Sequence, residues 1–284
     1  MEVSCLENRS GMKGFFYNFK KYLPLLRNLA GKDFKIKYRR SVLGVAWSIL
    51  NPLLTMLVLT AVFSMIFKVR DYPDIGDFAV YYIVGASIWN FFAEATSSSL
   101  TSILGSAGLI KKVYIPKYIF PLEKSLFSLI NFALSLIAVA IVMAFRMSHI
   151  NPGWTIVLFP IPVFYCLLFV IGMSLILSAV SVYFQDVIHL YGVVLTLWMY
   201  LTPLIYPASL LDSYNKDSAL QTVAVAIVRY NPMTKYIQYF RDVVIYNTLP
   251  SLTDNLMCLG YGLLFLVIGI FTFNKLQKKF ILHI

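Results

Sequence analysis

The chain has little charge and few of the side chains that metal sites and disulfide frameworks require. Only 13% of its 284 residues are charged, against about 25% in an ordinary soluble domain. The three cysteines and the three histidines are scattered along the sequence. A structural metal site needs ligands at short spacings, and a disulfide framework needs an even number of cysteines. The sequence therefore favours neither kind of site.

Apolar residues dominate instead, at 59% of the chain, and 16% of all residues are aromatic. Several apolar stretches run for about 18 residues or more, which is enough to cross a hydrocarbon core of about 30 Å as a helix. Residues 1–11 lack the apolar core and the small-residue cleavage site of a signal peptide, so we expect the first span to insert uncleaved. The sequence predicts a polytopic membrane protein and excludes disordered and soluble enzyme classes.

Six segments are predicted to cross the membrane, which gives an all-α fold of six transmembrane helices. They cover about 45–67, 78–101, 125–145, 154–183, a fifth stretch from about 188, and 256–273. Pro203 and Pro207 follow the fifth segment, so we expect its end to be bent or broken. Residues 45–273 then form the transmembrane domain.

The distribution of Lys and Arg predicts the orientation. With the amino terminus inside, the inner segments hold 17 of these residues and the outer segments hold seven. Basic loops stay in the cytoplasm, so we expect both termini there. The net charge of +11 then reflects segments beside anionic lipid headgroups rather than a nucleic-acid surface.

Residues 1–44 are predicted to form a cytoplasmic segment with an amphipathic helix. Its apolar residues recur at helical spacing, and they are Phe15, Phe19, Tyr22, Leu26 and Leu29. Pro24 lies within this pattern, so we expect a kink or a restart there. Two interpretations stay open at this point, a basic membrane anchor and a moving functional element.

Two connections are too unusual for simple loops. The segment 105–121 is basic, apolar and cytoplasmic, which indicates contact with a protein partner or with the membrane surface. The outer segment 207–253 contains apolar runs that are too short to span, which is typical of re-entrant or interfacial helices. Residues 274–284 form a basic cytoplasmic tail.

The chain lacks the motifs of an enzyme. Residues 105–112 are glycine-rich and basic, but Ile110 stands where a phosphate-binding loop needs its second glycine, so ATP is not bound by that route. Glu94 is the single acid within the predicted spans. Its carboxylate is costly in a bilayer, so it either bonds a hydroxyl of Ser97, Ser98 or Thr101 or lines a polar pathway.

Several motifs together resemble the export permeases of polysaccharide ABC transporters, of the ABC-2 type. They are the run from Asp33 to Trp47 (DFKIKYRRSVLGVAW), Asn51-Pro52, the run LIKKVYIP from Leu109, Asp186-Val187 and Asn231-Pro232-Met233. The resemblance extends over nearly the whole chain, in order. Gln185 departs from it, because the family often has Arg at that position.

The resemblance implies a homodimer that exports a lipid-linked polysaccharide, such as O-antigen, teichoic acid or capsule, across the bacterial inner membrane. It implies that ATP and Mg are bound by two copies of a separate ATP-binding subunit and that this chain holds no cofactor. The expected partners are therefore a second copy, the ATPase, the glycan and membrane lipids, with no nucleic acid. A drug or lipid efflux permease of the same type is the alternative.

The resemblance also assigns roles to residues. The gate at the inner entrance comprises Tyr38, Arg39 and Arg40. The ATPase-coupling element comprises Lys111, Lys112, Val113, Tyr114, Ile115, Pro116 and Lys117, and the outer re-entrant segment includes Asn231, Pro232 and Arg241. Within the coupling element we expect the apolar residues to contribute more to binding of the ATPase than Lys117 does, because apolar anchors usually outweigh rim charges.

Aromatic rings in spans one, two and five are candidates for contact with sugar, because ring faces pack against C–H groups and their polar tips bond hydroxyls. The candidate channel residues are Trp47, Tyr81, Trp89, Glu94, Tyr191, Trp198 and Tyr200. Rings near span ends can also belong to interfacial belts, and this interpretation stays open.

Two other functional classes are disfavoured. A secondary transporter would need ion-coupling acids and an internal repeat, and a membrane glycosyl- or phosphotransferase would need clustered acids for a metal.

Overall fold

The computed structural model of the chain describes residues 12–39, 41–63, 77–113, 115–147, 153–207, 210 and 219–282, and regular structure within these ranges is helical throughout. The α-helices are α1 (Met12–Tyr38), α2 (Trp47–Phe63), α3 (Phe78–Leu100), α4 (Ser102–Gly105), α5 (Ala107–Ile110), α6 (Ile119–Phe145), α7 (Pro160–Tyr183), α8 (Val187–Tyr200), α9 (Ala219–Arg229), α10 (Pro232–Val244) and α11 (Leu252–Leu276). Short 3-10 helices cover Gly44–Ala46, Trp154–Leu158 and Gln277–Leu282. The predicted all-α class is confirmed for these residues.

The described residues divide into two compact units, one up to Gly44 and one from Val45 onward. The first unit contains α1, the helix that the amphipathic pattern predicts. It runs as one helix through Pro24, so it does not restart there, and a kink at this proline stays a prediction. A proline removes one backbone hydrogen bond, and a helix of 27 residues retains its remaining bonds. Lys35 and Lys37 lie in its last turn, where positive charge is favourable to the helix dipole.

Four stretches of the described residues are long and apolar enough to cross a membrane, so the protein is a multi-pass membrane protein. They are Gly44–Phe63, Ile119–Phe145, Trp154–Tyr183 and Leu252–Phe280. The helix α8 is apolar but has only 14 residues. It ends at Tyr200, three residues before Pro203, as the two prolines predict.

The helix α3 is more polar than these four, yet it lies at the centre of the second unit. Of its 23 residues, 17 are buried, and it packs against α2, α6, α7, α8 and α10. Because neighbouring helices cover it, its hydroxyl groups can bond protein rather than face lipid. Ser99 donates to the Ala95 carbonyl at 2.7 Å, and Ser181 of α7 donates to the Leu100 carbonyl at 2.6 Å.

Glycines let α7 and α11 approach closely. A Cβ at Gly172 would lie 2.4 Å from the backbone carbonyl of Phe265, and one at Gly269 would lie 2.4 Å from the carbonyl oxygen of Gly172. Small residues at such crossings are the usual basis of helix packing in membranes, where there is little hydrophobic driving force between helices. The backbones of α7 and α11 are therefore in close contact.

The helices of the second unit meet at two opposite ends. One end, called the α10 end, holds the end of α2, the start of α3, the end of α6, the starts of α7 and α11, and α10 itself. The contacts that join it are Phe63 with Phe78 (6.0 Å between rings), Arg146 with Asp77 (3.2 Å), Thr155 Oγ1 with the Val243 carbonyl (2.8 Å) and Lys235 with Asp254 (3.0 Å).

The other end, called the tail end, holds the end of α3, the start of α6, the turn between α7 and α8, and the end of α11. Lys117 Nζ donates to the Gln277 carbonyl at 2.8 Å, and the Tyr183 hydroxyl donates to the Leu276 carbonyl at 2.8 Å. The helices α3, α6, α7 and α11 thus each have one end at the α10 end and the other at the tail end.

Candidate functional site

The predicted coupling segment lies at the tail end as a chain of short elements. The helices α4 and α5 are followed by a turn through Val113, and α6 begins at Ile119. The predicted segment 105–121 therefore ends inside the first turn of α6 rather than before it. The reason is that Pro121 lies in the first turn of a helix, where its missing amide has no intrahelical partner to lose.

The middle of this segment is exposed. Lys111, Lys112 and Val113 lie at the surface, with Val113 exposed to 51%, and Ile115 and Pro116 are half-buried. Tyr114 lies outside the described residues. An exposed apolar residue beside two lysines is suitable for contact with a partner protein, because it leaves an apolar anchor and basic groups uncovered in this chain.

Lys117 has a structural setting that the sequence does not reveal. Its amino group donates to the Gln277 carbonyl and lies 5.5 Å from the centre of the Phe280 ring. Partial burial lowers the pKa of this amino group. Both partners lie about 160 residues away in the chain, so no local pattern could have predicted them.

At the α10 end, Asn231 joins α10 to α8. Its Oδ1 accepts from the Met233 amide at 3.0 Å and so caps α10, and it also accepts from the Trp198 indole at 2.8 Å. Its Nδ2 donates to Thr202 Oγ1 at 3.0 Å. Pro232 takes the first helical position, which suits its fixed φ. The Asn-Pro motif is therefore a helix start that also holds the broken end of α8.

Arg241 of α10 is fully buried, with no exposed surface. Its guanidinium donates to the Pro203 carbonyl at 2.8 Å and to the Tyr81 carbonyl at 3.1 Å, and it stacks 3.5 Å from the centre of the Tyr81 ring. The guanidinium occupies space that Gly85 leaves open, because a Cβ at Gly85 would lie 2.5 Å from Arg241 Nη2. The charged group thus bonds one backbone carbonyl in the first turn of α3 and one in the segment that follows α8.

The candidate channel residues separate into interior and surface positions. Tyr81, Trp89 and Tyr191 are buried within the chain, and Trp198 is half-buried against Asn231. Trp47 and Tyr200 lie at the surface, exposed to 45% and 64%. The structure therefore brings Tyr81 and Trp198 together with α10, and it leaves Trp47 and Tyr200 open to a ligand or a partner.

Glu94 has a protein partner on the neighbouring helix. Its Oε1 accepts a hydrogen bond from Asn131 Nδ2 of α6 at 2.8 Å, while the Ser98 hydroxyl bonds the Glu94 backbone carbonyl. This arrangement favours a structural role of Glu94 over a polar pathway. The partner of its carboxylate is the Asn131 amide, however, and not one of the hydroxyl groups that the sequence suggests. The pairing satisfies a costly carboxylate inside a membrane domain.

The predicted gate residues lie at the end of α1, in the first unit. Tyr38 is the last residue of this helix, and its ring packs edge-on against Phe34 at 4.9 Å. Arg39 follows in a turn, and Arg40 lies outside the described residues. Within the part of the chain that the structure describes, no group of His, Cys, Asp or Glu side chains could hold a metal ion.

Comparison with known proteins places these features in a family. The family model of the ABC-2 type transporters matches residues 24–244. The O-antigen export system permease protein RfbA of Myxococcus xanthus is 30% identical over 240 residues, which cover 84% of this chain and 86% of the relative. A protein of the same name from Klebsiella pneumoniae is 29% identical over 266 residues, covering 93% and 96%. The chain belongs to the ABC-2 type transporter family.

Proposed function

We propose that this chain is the permease subunit of an ABC exporter that moves a lipid-linked polysaccharide of the O-antigen class across the bacterial inner membrane. ATP and Mg bind a separate ATPase subunit that drives transport. The observation that carries the proposal is the near full-length match to O-antigen export permeases, which covers 93% of this chain and 96% of the Klebsiella relative.

The proposal includes six spans. The support is that α3, α6, α7 and α11 each join the tail end to the α10 end. The helix α8 starts after the turn at the tail end and meets Asn231 at the α10 end, and α2 ends at the α10 end with Phe63 against Phe78. The helix α8 alone would reach only about 21 Å at 1.5 Å per residue, and residues 201–207 extend it. The helix α10 begins and ends at the α10 end, which is the behaviour of a re-entrant or interfacial segment.

The tail end is proposed to face the cytoplasm. An even number of spans leaves α2 beginning and α11 ending at the same end. Lys111, Lys112 and Lys117 lie there together with the basic tail, and basic segments of membrane proteins stay in the cytoplasm. Both chain termini and the proposed coupling segment are then cytoplasmic.

The proposed translocation path lies where two copies of the chain meet. The helix α8 carries an exposed face of His189, Gly192, Thr196 and Tyr200 at helical spacing. A second exposed face, rotated around the same helix, is purely apolar and consists of Leu190, Val194, Leu197 and Leu201. Polar groups are unfavourable against lipid, so the first face is suited to a hydrated path and the second to hydrocarbon.

The helix α2 supports the same assignment. Its exposed residues include Trp47, Asn51 and Thr55, which are four residues apart and share one side of the helix. With Tyr200 of α8, Trp47 keeps the role in sugar contact that the sequence suggests. Such a path needs a second subunit to close it, which supports a homodimer.

A bulky side chain tests this path. Thr196→Trp is expected to reduce export of lipid-linked glycan by about tenfold or more at normal protein level, because it fills the path. Leu197→Trp, one residue away on the apolar face, is the matched control and is expected to keep export within about twofold. The readout is glycan on the outer surface of cells that co-express the ATPase. Equal export in both variants would contradict the path on α8.

The same measurement of surface glycan, made on cells that lack the permease, separates polysaccharide export from the alternative of drug or lipid efflux. If cells lacking the permease lose resistance to a drug but still display glycan at the normal level, the polysaccharide assignment is wrong. Loss of surface glycan, with lipid-linked glycan accumulating inside the cell, supports it.

A further inference from the structure

The end of α11 is held by side chains from two other parts of the chain. The last carbonyls of a helix have no partner within it and carry the negative end of the helix dipole. The Gln277 carbonyl accepts from the Lys117 amino group, and the Leu276 carbonyl accepts from the Tyr183 hydroxyl. A positive charge from the coupling segment thus binds the end of α11.

Phe280 adds an apolar contact at the same place. The 3-10 helix Gln277–Leu282 brings its ring back to the tail end, where it has no exposed surface. The ring packs edge-on against Phe273 at 5.6 Å and against Tyr183 at 6.1 Å. It belongs to one apolar cluster with Ile103 of α4, to which Ile110 and Tyr118 also contribute.

The coupling segment has few other contacts around its short helices. Gly105 and Gly108 have no atom of another segment within 4 Å of their Cβ positions, and Leu109 and Val113 are exposed. Its local hydrogen bonds are those of two four-residue helices and the turns that follow. Lys117 and the cluster around Phe280 therefore connect the described part of the segment to the ends of α7 and α11.

We propose that the 3-10 segment of the tail, with Phe280 and the Gln277 carbonyl, is a strut that fixes the coupling segment onto the ends of α7 and α11. Lys117 and Phe280 are positioning residues, and they transmit force from the coupling segment into the α7–α11 pair. This inference rests on the proposed function of the segment as the contact with the ATPase. It reverses the expectation that Lys117 is a minor rim charge.

The test uses the full permease in complex with its ATPase subunit in lipid nanodiscs or proteoliposomes. Phe280→Ala removes the ring, and Lys117→Met keeps an apolar stem of similar length but removes the donor. Lys279→Ala is the matched control, because Lys279 is exposed on the same 3-10 helix. The readouts are amide hydrogen exchange in residues 105–113, the amount of ATPase captured, and the glycan moved per ATP hydrolysed.

We expect both strut variants to raise hydrogen exchange in residues 105–113 by about tenfold, as loss of a charge-assisted bond allows. Glycan moved per ATP should fall by a similar factor, while ATPase capture stays within about twofold because the contact surface is intact. Lys279→Ala should match the wild type in all three readouts. Unchanged exchange, or raised exchange with an unchanged glycan-to-ATP ratio, would overturn the strut.

Two further outcomes are diagnostic. If Lys279→Ala causes the same loss as Phe280→Ala, the tail acts through its charge, and the strut is wrong. Ile115→Ala, measured in parallel, tests the proposed function itself. Loss of ATPase capture in Ile115→Ala together with wild-type behaviour of both strut variants would remove only the strut. Wild-type capture and hydrolysis in Ile115→Ala would remove the coupling role of the segment.

Discussion

The two ends of the transmembrane unit are held together by different kinds of contact. At the α10 end, the partly exposed ion pairs are joined by two buried polar side chains, Arg241 and Asn231, and several partners of these two are backbone carbonyls or amides. At the tail end, the coupling segment is partly exposed and is held mainly by Lys117 and the ring of Phe280. The first arrangement joins buried polar groups at several points, and the second holds a partly exposed segment through one lysine and one apolar cluster.

The physical basis of this difference is the free-energy cost of burying a polar group without a hydrogen-bond partner. A buried polar group that loses its partner costs about 1–3 kcal/mol, and a charged group costs more. Opening the α10 end would expose several such groups at once. At the tail end, the lysines are already in contact with water, so movement there carries a smaller penalty.

The largest effect is expected at Arg241. Arg241→Leu would remove from the interior the two hydrogen bonds that the charged guanidinium donates to the carbonyls of Pro203 and Tyr81, which should destabilise the folded protein by about 3–5 kcal/mol. Thermal unfolding in detergent measures the change. Arg229→Leu is the control, because Arg229 is exposed at the end of the adjacent helix. Similar unfolding temperatures for the two variants would show that the α10 end is not held by buried polar bonds.

The second effect concerns the helix pair that connects the two ends. Gly172→Ala places a methyl group 2.4 Å from backbone atoms of Phe265, which cannot move aside as a flexible side chain can. We expect destabilisation of about 1–3 kcal/mol from overpacking. Gly260→Ala, on an open face of α11, should have little effect or a slightly stabilising one. Equal stability of both variants would contradict the close α7–α11 contact.

The third effect is a loss of capping at the α10 end. Asn231→Ala removes the N-cap of α10 and the acceptor of the Trp198 indole, so we expect a cost of about 1–2 kcal/mol. Trp198→Phe should cost less, because its ring contacts remain. Thr248→Ala, at an exposed position of the same end, provides the reference. A cost for Asn231→Ala no greater than that of the reference would remove the capping role.

These effects also show how far the sequence predicts the structure. Hydropathy predicts the apolar spans, and Pro203 predicts the break after α8, because both signals are local. The Asn-Pro motif at Asn231 is a recognisable helix start. The burial of Arg241 could not be predicted, because its partners Tyr81 and Pro203 come from other helices. The same is true of Lys117 and Phe280, whose contact depends on the tail returning to the start of α6.

The helix α3 illustrates a further limit. Among the long helices of the second unit it is the most buried, yet its Asn90, Glu94 and serines make it the least apolar of them. A helix that is surrounded by protein is not required to be as apolar as one that faces lipid. Tyr81, Trp89 and Tyr191 are channel candidates because of their ring chemistry. The structure buries all three within the chain, because aromatic rings also pack well between helices.

The smallest effect is expected at an exposed residue of the tail end. Lys112→Ala should change stability by less than about 0.5 kcal/mol, because Lys112 lies on the surface. Its influence should appear only as a weaker salt dependence of ATPase capture, because exposed charges are screened by salt. A stability loss as large as that of Asn231→Ala would show that the two ends are held equally firmly.

The most direct test of the account is transport by the reconstituted permease with its ATPase subunit in proteoliposomes. We expect lipid-linked glycan to cross the membrane only when both chains and ATP with Mg are present. We also expect Ile115→Ala to lower glycan-stimulated ATP hydrolysis and transport together. Glycan crossing without the ATPase, or wild-type stimulation of hydrolysis and transport by the Ile115→Ala permease, would contradict it.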